Sequence, residues 1–327
     1  MNYYLYQLTF TTPVHFGEGG SLSSSKYTCE SDTLFGALCN EAELLQAGGA
    51  AELIEKAESG DFLISGLFPF FETKDTLEIY LPRPMYPVVR DEKRKSLSFS
   101  EMKTEATAIK KFKKIEYIRA SELKAYLSGE TMSTDIREFG ASVATVKVNT
   151  RGVEPLPYTV GGYAFNKAAG LYFIAGLTSQ EDVETLSRTV ISLGHTGIGG
   201  KRSSGYGKFV LNGGEPYEID DMYDDMRALE TYLNDAEAPI QMALSSCAPR
   251  SEEISIVKAG TVGLERRGGY IWSSGAHAVR KRDNYYALKP GSCLPKRLKG
   301  QCLYFSYEGL PYTVCRNGKG LFLGVKV

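Results

Sequence analysis

Residues Leu193 to Val210 read L-G-H-T-G-I-G-G-K-R-S-S-G-Y-G-K-F-V. Six of these are glycines: Gly194, Gly197, Gly199, Gly200, Gly205 and Gly207. Glycine loses more backbone freedom on ordering than any other residue, so neither a helix nor a strand runs through such a stretch. Ahead of it, Val183, Leu186, Val190 and Leu193 recur at helical spacing behind an acidic first turn, Glu181 and Asp182. That pattern predicts a helix stopped by Gly194 in the left-handed conformation. Behind it, Tyr206 to Leu211 predicts a strand. The unit is therefore helix, glycine loop, strand, with Lys201, Arg202, Ser203 and Ser204 at its tip.

Glycines let another backbone approach closely, and consecutive exposed N–H groups form an anion-binding nest. Two cations and two hydroxyls in the same run suit a phosphodiester backbone, and the plainer alternative is a long flexible turn. Two rival motifs fail on spacing. A P-loop needs glycine six residues before its lysine and Ser/Thr directly after it, where this chain has His195 and Arg202. The dinucleotide fingerprint G-x-G-x-x-G begun at Gly197 needs glycine at position 202, and it needs a strand before the helix.

The stretch G-I-G-G-K-R-S-S-G-Y-G-K-F resembles the glycine-rich loop of the RAMP superfamily of CRISPR proteins. Within that superfamily the chain most resembles the Cas5-like fourth subunit of type III-A Csm complexes. S-D-T-L-F-G-A-L-C, from Ser31, is similar to the start of the first RAMP helix, and L-P-R-P-M-Y-P (81–87) to a proline-bearing segment of such subunits. Arg151, followed by Gly152 and then by the strand-like L-Y-F-I-A-G-L (171–177), resembles the region carrying a protruding hairpin, or thumb. On that resemblance residues 151–168 form the protrusion. Tyr158, Tyr163 and Phe165 then either stack on bases or pack on the protein's own sheet. G-L-E-R-R-G-G-Y-I-W and Y-A-L-K-P-G-S-C are similar to C-terminal blocks of the same subunit.

At 327 residues the chain is long enough for two domains, and 43% hydrophobic with 24% charged residues is ordinary globular composition. No apolar run is long enough for a membrane span and the N-terminus lacks a signal pattern, so a cytoplasmic protein with no membrane partner is expected. None of the six cysteines forms a Cys-x-x-Cys pair, and free buried thiols are expected. A net charge of −1 conceals an asymmetry. Residues 240–327 carry 14 Lys and Arg against 5 Asp and Glu, whereas residues 212–239 carry 1 against 9. A basic C-terminal third fits a polyanion partner or a solvated basic surface.

Along the chain, residues 3–10 predict a first strand, and Pro13–Ser25 a loop with His15 within it and Lys26 beside it. A helix from Asp32, as its cap, to Gln46 follows, then a short helix at 50–58. Strands are predicted at Phe62–Phe68 and Leu77–Leu81 with Pro69 as a break, and 81–87 is too proline-rich for a central strand. This is a β-α-β-β ferredoxin-like beginning. The charged segment 90–114 reads as a surface insertion. A strand over I-E-Y-I, a helix at Ser121–Leu127 and a strand at 142–149 come next. In the acidic stretch, Met222, Met226, Leu229 and Leu233 predict an amphipathic helix and a domain boundary. Beyond Pro239 strands are expected at 240–246, 254–259, 261–272, 285–289, 302–307, 312–315 and 321–327.

The resulting expectation is an α+β protein of two tandem ferredoxin-like (RRM-like) domains. Residues 1–211 form the first, with the glycine-rich loop and protruding hairpin; 212–239 is an acidic helical connector; 240–327 is a basic, degenerate second domain. The RNA-facing set is His15, Lys26, Arg151, His195, Gly197, Gly199, Gly200, Lys201, Arg202, Ser203, Ser204, Gly205, Arg266, Arg267, Arg280, Lys281 and Arg282. The last three lie beside Gly275 and His277 and form a candidate second basic loop. With three histidines in all, His15, His195 and His277, and no metal or Ser/His/Asp pattern, no catalytic residue, metal or cofactor is assigned. Asp32 is the nearest counterpart of a target-cutting aspartate in the related backbone subunit, and a helix cap explains it equally well. The resemblance implies a non-catalytic subunit that holds the 5′ repeat-derived tag of a guide RNA in antiviral defence. It would join the large polymerase-like subunit to the backbone RAMP subunit and meet target RNA indirectly. The alternatives are a metal-independent guide-processing endoribonuclease using His15, and an adaptor whose glycine loop docks on protein alone.

Overall fold

The computed structural model describes residues 1–17, 21–87, 115–130, 137–150, 154–219, 222–271 and 280–326. The charged insertion at 90–114, Arg151, Gly152, Gly275 and His277 lie outside the described residues. Strand β1 (Asn2–Phe10) organises the first sheet. Its residues alternate as the pleat requires. Tyr4, Tyr6 and Leu8 face one apolar cluster, and Leu5 faces another. Its partner β8 (Ala169–Leu177) is buried along its whole length and alternates in the same way. Leu171, Phe173 and Ala175 join the first cluster, and Tyr172 and Ile174 the second. Tyr6 and Phe173 stack with ring centroids 4.7 Å apart.

The sheet continues through β3 (Phe68–Glu72), β4 (Leu77–Pro82) and β5 (Tyr117–Arg119), with β2 (Leu63–Ile64) beside β3 along the same edge of β8. On the far edge of β1 sit β9 (Phe209–Leu211) and β10 (Tyr217–Glu218). All these pairings are antiparallel. Helices α1 (Ser31–Leu45), α2 (Gly49–Ser59) and a long helix at Gln180–Thr196 cover one face. The short helix α3 (Leu123–Leu127) follows β5, which makes the long helix α4. The opposite face packs on α5 (Asp224–Asn234) and on a three-stranded sheet. That sheet is ordered β16 (Cys293–Leu294), β11 (Ile240–Ala243), β19 (Phe322–Val325). One apolar cluster thus holds Leu5, Phe70, Ile79, Leu229, Met242, Leu323 and Val325 together. Buried Asp225 fastens α5 to the first sheet, accepting hydrogen bonds from the N–H of Ile79 and of Ser121 and from Arg119 Nε.

Four two-stranded ribbons complete the described residues. They are β6 (Gly140–Asn149) with β7 (Leu156–Phe165), β12 (Leu264–Arg267) with β15 (Tyr285–Leu288), β13 (Tyr270–Ile271) with β14 (Arg280–Lys281), and β17 (Gly300–Phe305) with β18 (Val314–Lys319). The first is the hairpin inferred from Arg151, but it begins at Gly140, earlier than 151, because the strand expected at 142–149 is its first arm.

Several local expectations are corrected. Pro69 does not break a strand but lies in β3 opposite Leu171. Pairing of β3 with β4 begins only at Phe70, so the missing N–H of Pro69 costs no rung there. Strand β4 runs on through Leu81 and Pro82. Asp32 is not the cap of α1: Glu30 holds that position, and Asp32 lies buried in the first turn. Residues 254–258 are not a strand but a helix, α6 (Ile254–Lys258), preceded by a 3-10 turn. The Glu253 carboxylate fixes that turn by accepting the Arg250 N–H. Met222 precedes α5 and is exposed.

Helix α4 does not stop at Gly194. It runs to Thr196, and Gly197, at φ 85°, is the residue outside it. Gly194 is required for a different reason: a Cβ there would lie 2.5 Å from the Phe209 carbonyl oxygen of β9. Gly194→Ala is therefore expected to lower unfolding free energy by about 1–3 kcal/mol through overpacking. Urea denaturation measures this, and an unchanged midpoint would mean that α4 and β9 separate freely.

Candidate nucleic-acid interface

The glycine loop folds over the chain's own N-terminal segment. Gly200 N–H donates to the His15 carbonyl at 2.8 Å, Gly207 N–H to the Pro13 carbonyl at 2.8 Å, and Ile198 N–H to the Gly207 carbonyl at 2.9 Å. A Cβ at Gly199 would lie 2.8 Å from the His15 carbonyl oxygen, and one at Gly200 2.7 Å from the His15 ring. Segment 13–16 is held from its other side by the hairpin, where Val14 and Tyr163 exchange both backbone hydrogen bonds at 2.9 Å. The backbone that approaches these glycines so closely thus belongs to the protein itself.

His15 is buried, with Nδ1 2.7 Å from the Gly161 carbonyl oxygen, so its ring ties the hairpin to the loop. Lys26 is exposed and its N–H donates to the Phe16 carbonyl. His195 is exposed in the last turn of α4. In that turn Ser192 and Thr196 donate their hydroxyls to the buried Glu41 carboxylate.

At the tip, Lys201 is the one non-glycine with positive φ among the described residues, at φ 59° and ψ 22°. Arg202 to Ser204 then form a single 3-10 turn. A left-handed residue followed by right-handed ones turns successive N–H groups toward one side, the geometry of a nest. Gly205 reverses the chain again at φ 85°. Ser203 and Ser204 are exposed, and Lys201 and Arg202 half-buried. Burial lowers the pKa of Arg202, while the Glu41 charge works in the opposite direction.

The hairpin meets this tip through two cation–aromatic pairs. Lys201 Nζ lies 5.5 Å from the centroid of Tyr158, and Lys147 Nζ lies 5.3 Å from that of Tyr206. Tyr206 also donates its hydroxyl to Thr145 Oγ1. Beyond them the hairpin exposes Val146, Val148 and Leu156. Tyr163 and Phe165 are not available as wedges: they stack on Tyr27 and Phe10. Lys147 was missed in the sequence, where its alternation with Thr145 on one face of β6 was the available signal.

The C-terminal basic residues divide. Arg266 and Lys281 are exposed on the ribbons, near exposed Tyr270 and Tyr286. Arg280 donates to the Glu308 carbonyl and lies over the Tyr307 ring. Arg267 is corrected: its guanidinium turns inward onto Asp32 and Thr33 in α1. Arg316, unmarked in the sequence, joins it on Asp32 and is 2% exposed. Burial would raise the Asp32 pKa, but the two guanidiniums outweigh it and hold the carboxyl well below its ordinary value. Arg282 is half-buried beside them. All six thiols are free. Among the described residues no cluster of His, Cys, Asp and Glu could hold a metal, and no helix is long and apolar enough to cross a membrane.

Residues 236–325 match the family described as the CRISPR Csm4 C-terminal domain. Over its whole length the chain is 27% identical to the Csm4 protein of Streptococcus thermophilus, covering 100% of both chains. It is 28% identical to Csm4 of Mycobacterium tuberculosis, over 99% of this chain and 98% of that one. A crystal structure of a Csm3–Csm4 subcomplex of the type III-A CRISPR-Cas interference complex shares the fold. Its TM-score is 0.62 at 17% identity, with 100% of both chains covered. A Csm1–Csm4 cassette in complex with cA4 gives 0.61 at 18%, with 100% of this chain and 99% of that one covered.

Proposed function

We propose that this Csm4-like protein of the RAMP superfamily is a non-catalytic RNA-holding subunit of a type III-A CRISPR complex. The reading rests on the seam between loop and hairpin, where Lys201 and Lys147 sit on Tyr158 and Tyr206. Cations beside aromatic faces are what a single strand requires, one for its phosphates and the other for its bases. The occupant we assign is the repeat-derived 5′ tag of a guide RNA. The subunits named with the similar structures, Csm1 and Csm3, are the kinds of partner we assign, as large and backbone subunits. We read residues 1–211 as a ferredoxin-like domain, 212–239 as connector and 240–327 as a degenerate second domain. The order β10, β1, β8, β3 around helices α1 and α4 supports the first assignment.

Replacing Lys201 and Arg202 together by alanine is expected to weaken tag binding and flatten its salt dependence by about 0.7 in log–log slope per lost phosphate contact. Fluorescence anisotropy at several salt concentrations measures it, with thermal melts to confirm the fold. An unchanged slope would refute the role. Labelled repeat RNA should survive incubation with the protein, and cleavage lost in His15→Ala would replace this reading with the endoribonuclease.

A further inference from the structure

Where the C-terminal ribbons meet the first turn of α1, two guanidiniums converge on one carboxylate, with a third, Arg282, beside them. Arg267 Nε and Nη2 and Arg316 Nη2 donate to Asp32, and the Tyr285 hydroxyl adds a fourth hydrogen bond at 3.3 Å. Glu265 lies 3.9 Å from Arg267 and accepts from Ser246. These acceptors are used up on that side. Arg316 is 2% exposed, yet among the described residues its Nε and Nη1 have no hydrogen-bond partner, and neither has the buried Nε of Arg282. Arg282 forms no salt bridge among the described residues. The nearest charges it meets are mostly of its own sign: burial and the Arg316 charge together bring its pKa down to about 10.

Buried charged donors without acceptors are costly, and a native protein keeps few of them without a purpose. Two such guanidiniums side by side, next to a helix start with no side-chain cap, form a setting for an oxyanion. We infer that Arg282 and Arg316 form an anion subsite that takes a phosphate group of the bound RNA. The ribbons beside it favour RNA over a partner's carboxylate. Arg266, Lys281, Tyr270 and Tyr286 stand exposed on the adjoining ribbons, offering charge and stacking faces nearby. This inference rests on the RNA-holding role proposed above, but its oxyanion chemistry can be tested without RNA.

The experiment uses the full chain with inorganic phosphate as probe, then single-stranded repeat RNA. At fixed ionic strength phosphate should raise the melting temperature above its value in chloride, by mass action on the folded state. Arg282→Gln should abolish that rise without lowering the melting temperature in chloride, because it removes a cation that faces like charge. The same variant should bind RNA about tenfold more weakly, with a salt slope smaller by about 0.7. Arg282→Lys should recover part of both. An equal phosphate response in Arg282→Gln, or a lowered melting temperature in chloride with that response intact, overturns the site. A response to acetate or an acidic peptide as large as that to phosphate, with RNA affinity unchanged, overturns the RNA assignment in favour of a protein carboxylate. If wild type answers phosphate but binds no RNA, the RNA-holding reading falls and the oxyanion site stands.

Discussion

Asp32→Ala is expected to lower unfolding free energy by about 3–5 kcal/mol, the usual cost of removing one partner from a buried ion pair. The whole margin of a folded protein is only about 5–15 kcal/mol, so the variant should be close to unfolding at physiological temperature. The loss comes from the partners left behind. Arg316 would keep a buried charge with no acceptor, and Arg267 would lose the acceptor of its Nε and keep only Thr33 on its Nη2. Equilibrium denaturation at pH 7 measures this. A loss under 1 kcal/mol would mean that Arg267 and Arg316 find another carboxylate.

The pH dependence of that difference has a definite sign. The folded-state pKa of Asp32 is depressed. Its contribution is therefore fully present above its unfolded value, about 3.9, and is lost as pH falls through the depressed folded value. The gap between wild type and Asp32→Ala should hold from neutral pH down to about 4 and narrow below it.

Gly207→Ala is the second substitution expected to do great damage. Gly207 has φ 76°, a backbone conformation that costs a side-chain-bearing residue about 1–3 kcal/mol. A methyl there would also drive into the Ile198 carbonyl oxygen, backbone that cannot swing aside. Together these should cost about 3–5 kcal/mol. The loss should reach function as well as stability, since Gly207 N–H holds Pro13 and Tyr206 beside it carries Lys147. RNA affinity measured well below the melting temperature should fall too. Full affinity in a destabilised variant would separate the loop's closure from binding.

Much of the fold was legible from periodicity. Tyr4, Tyr6 and Leu8 alternate with Leu5, and Val183, Leu186, Val190 and Leu193 repeat at helical spacing. Both patterns are local, and burial follows them directly. The end of α4 was misread because glycine at a helix end suggests a cap, whereas Gly194 makes room for Phe209, a contact set by tertiary packing. The glycine loop was recognised as a place where backbone approaches backbone. That part of that contact is with Pro13 and His15, nearly two hundred residues away, leaves no trace in local spacing. Arg267 and Arg316 were illegible for the same reason. In the sequence they are two more positive charges in a basic segment, and only the fold brings them to Asp32. Ile254 to Lys258 look like a strand by composition, and the Glu253 carboxylate that starts a helix there was the overlooked local signal.

The apolar cluster that unites Leu5 with Leu323 and Val325 bears on how the protein comes into being. Strand β19 comes some three hundred residues after Leu5, yet it helps to fill the face on which the first sheet rests. Until β19 has been synthesised, that face stays partly uncovered and sticky. A stop codon near residue 320 would therefore leave the first sheet made but unable to close, a substrate for chaperones and proteases.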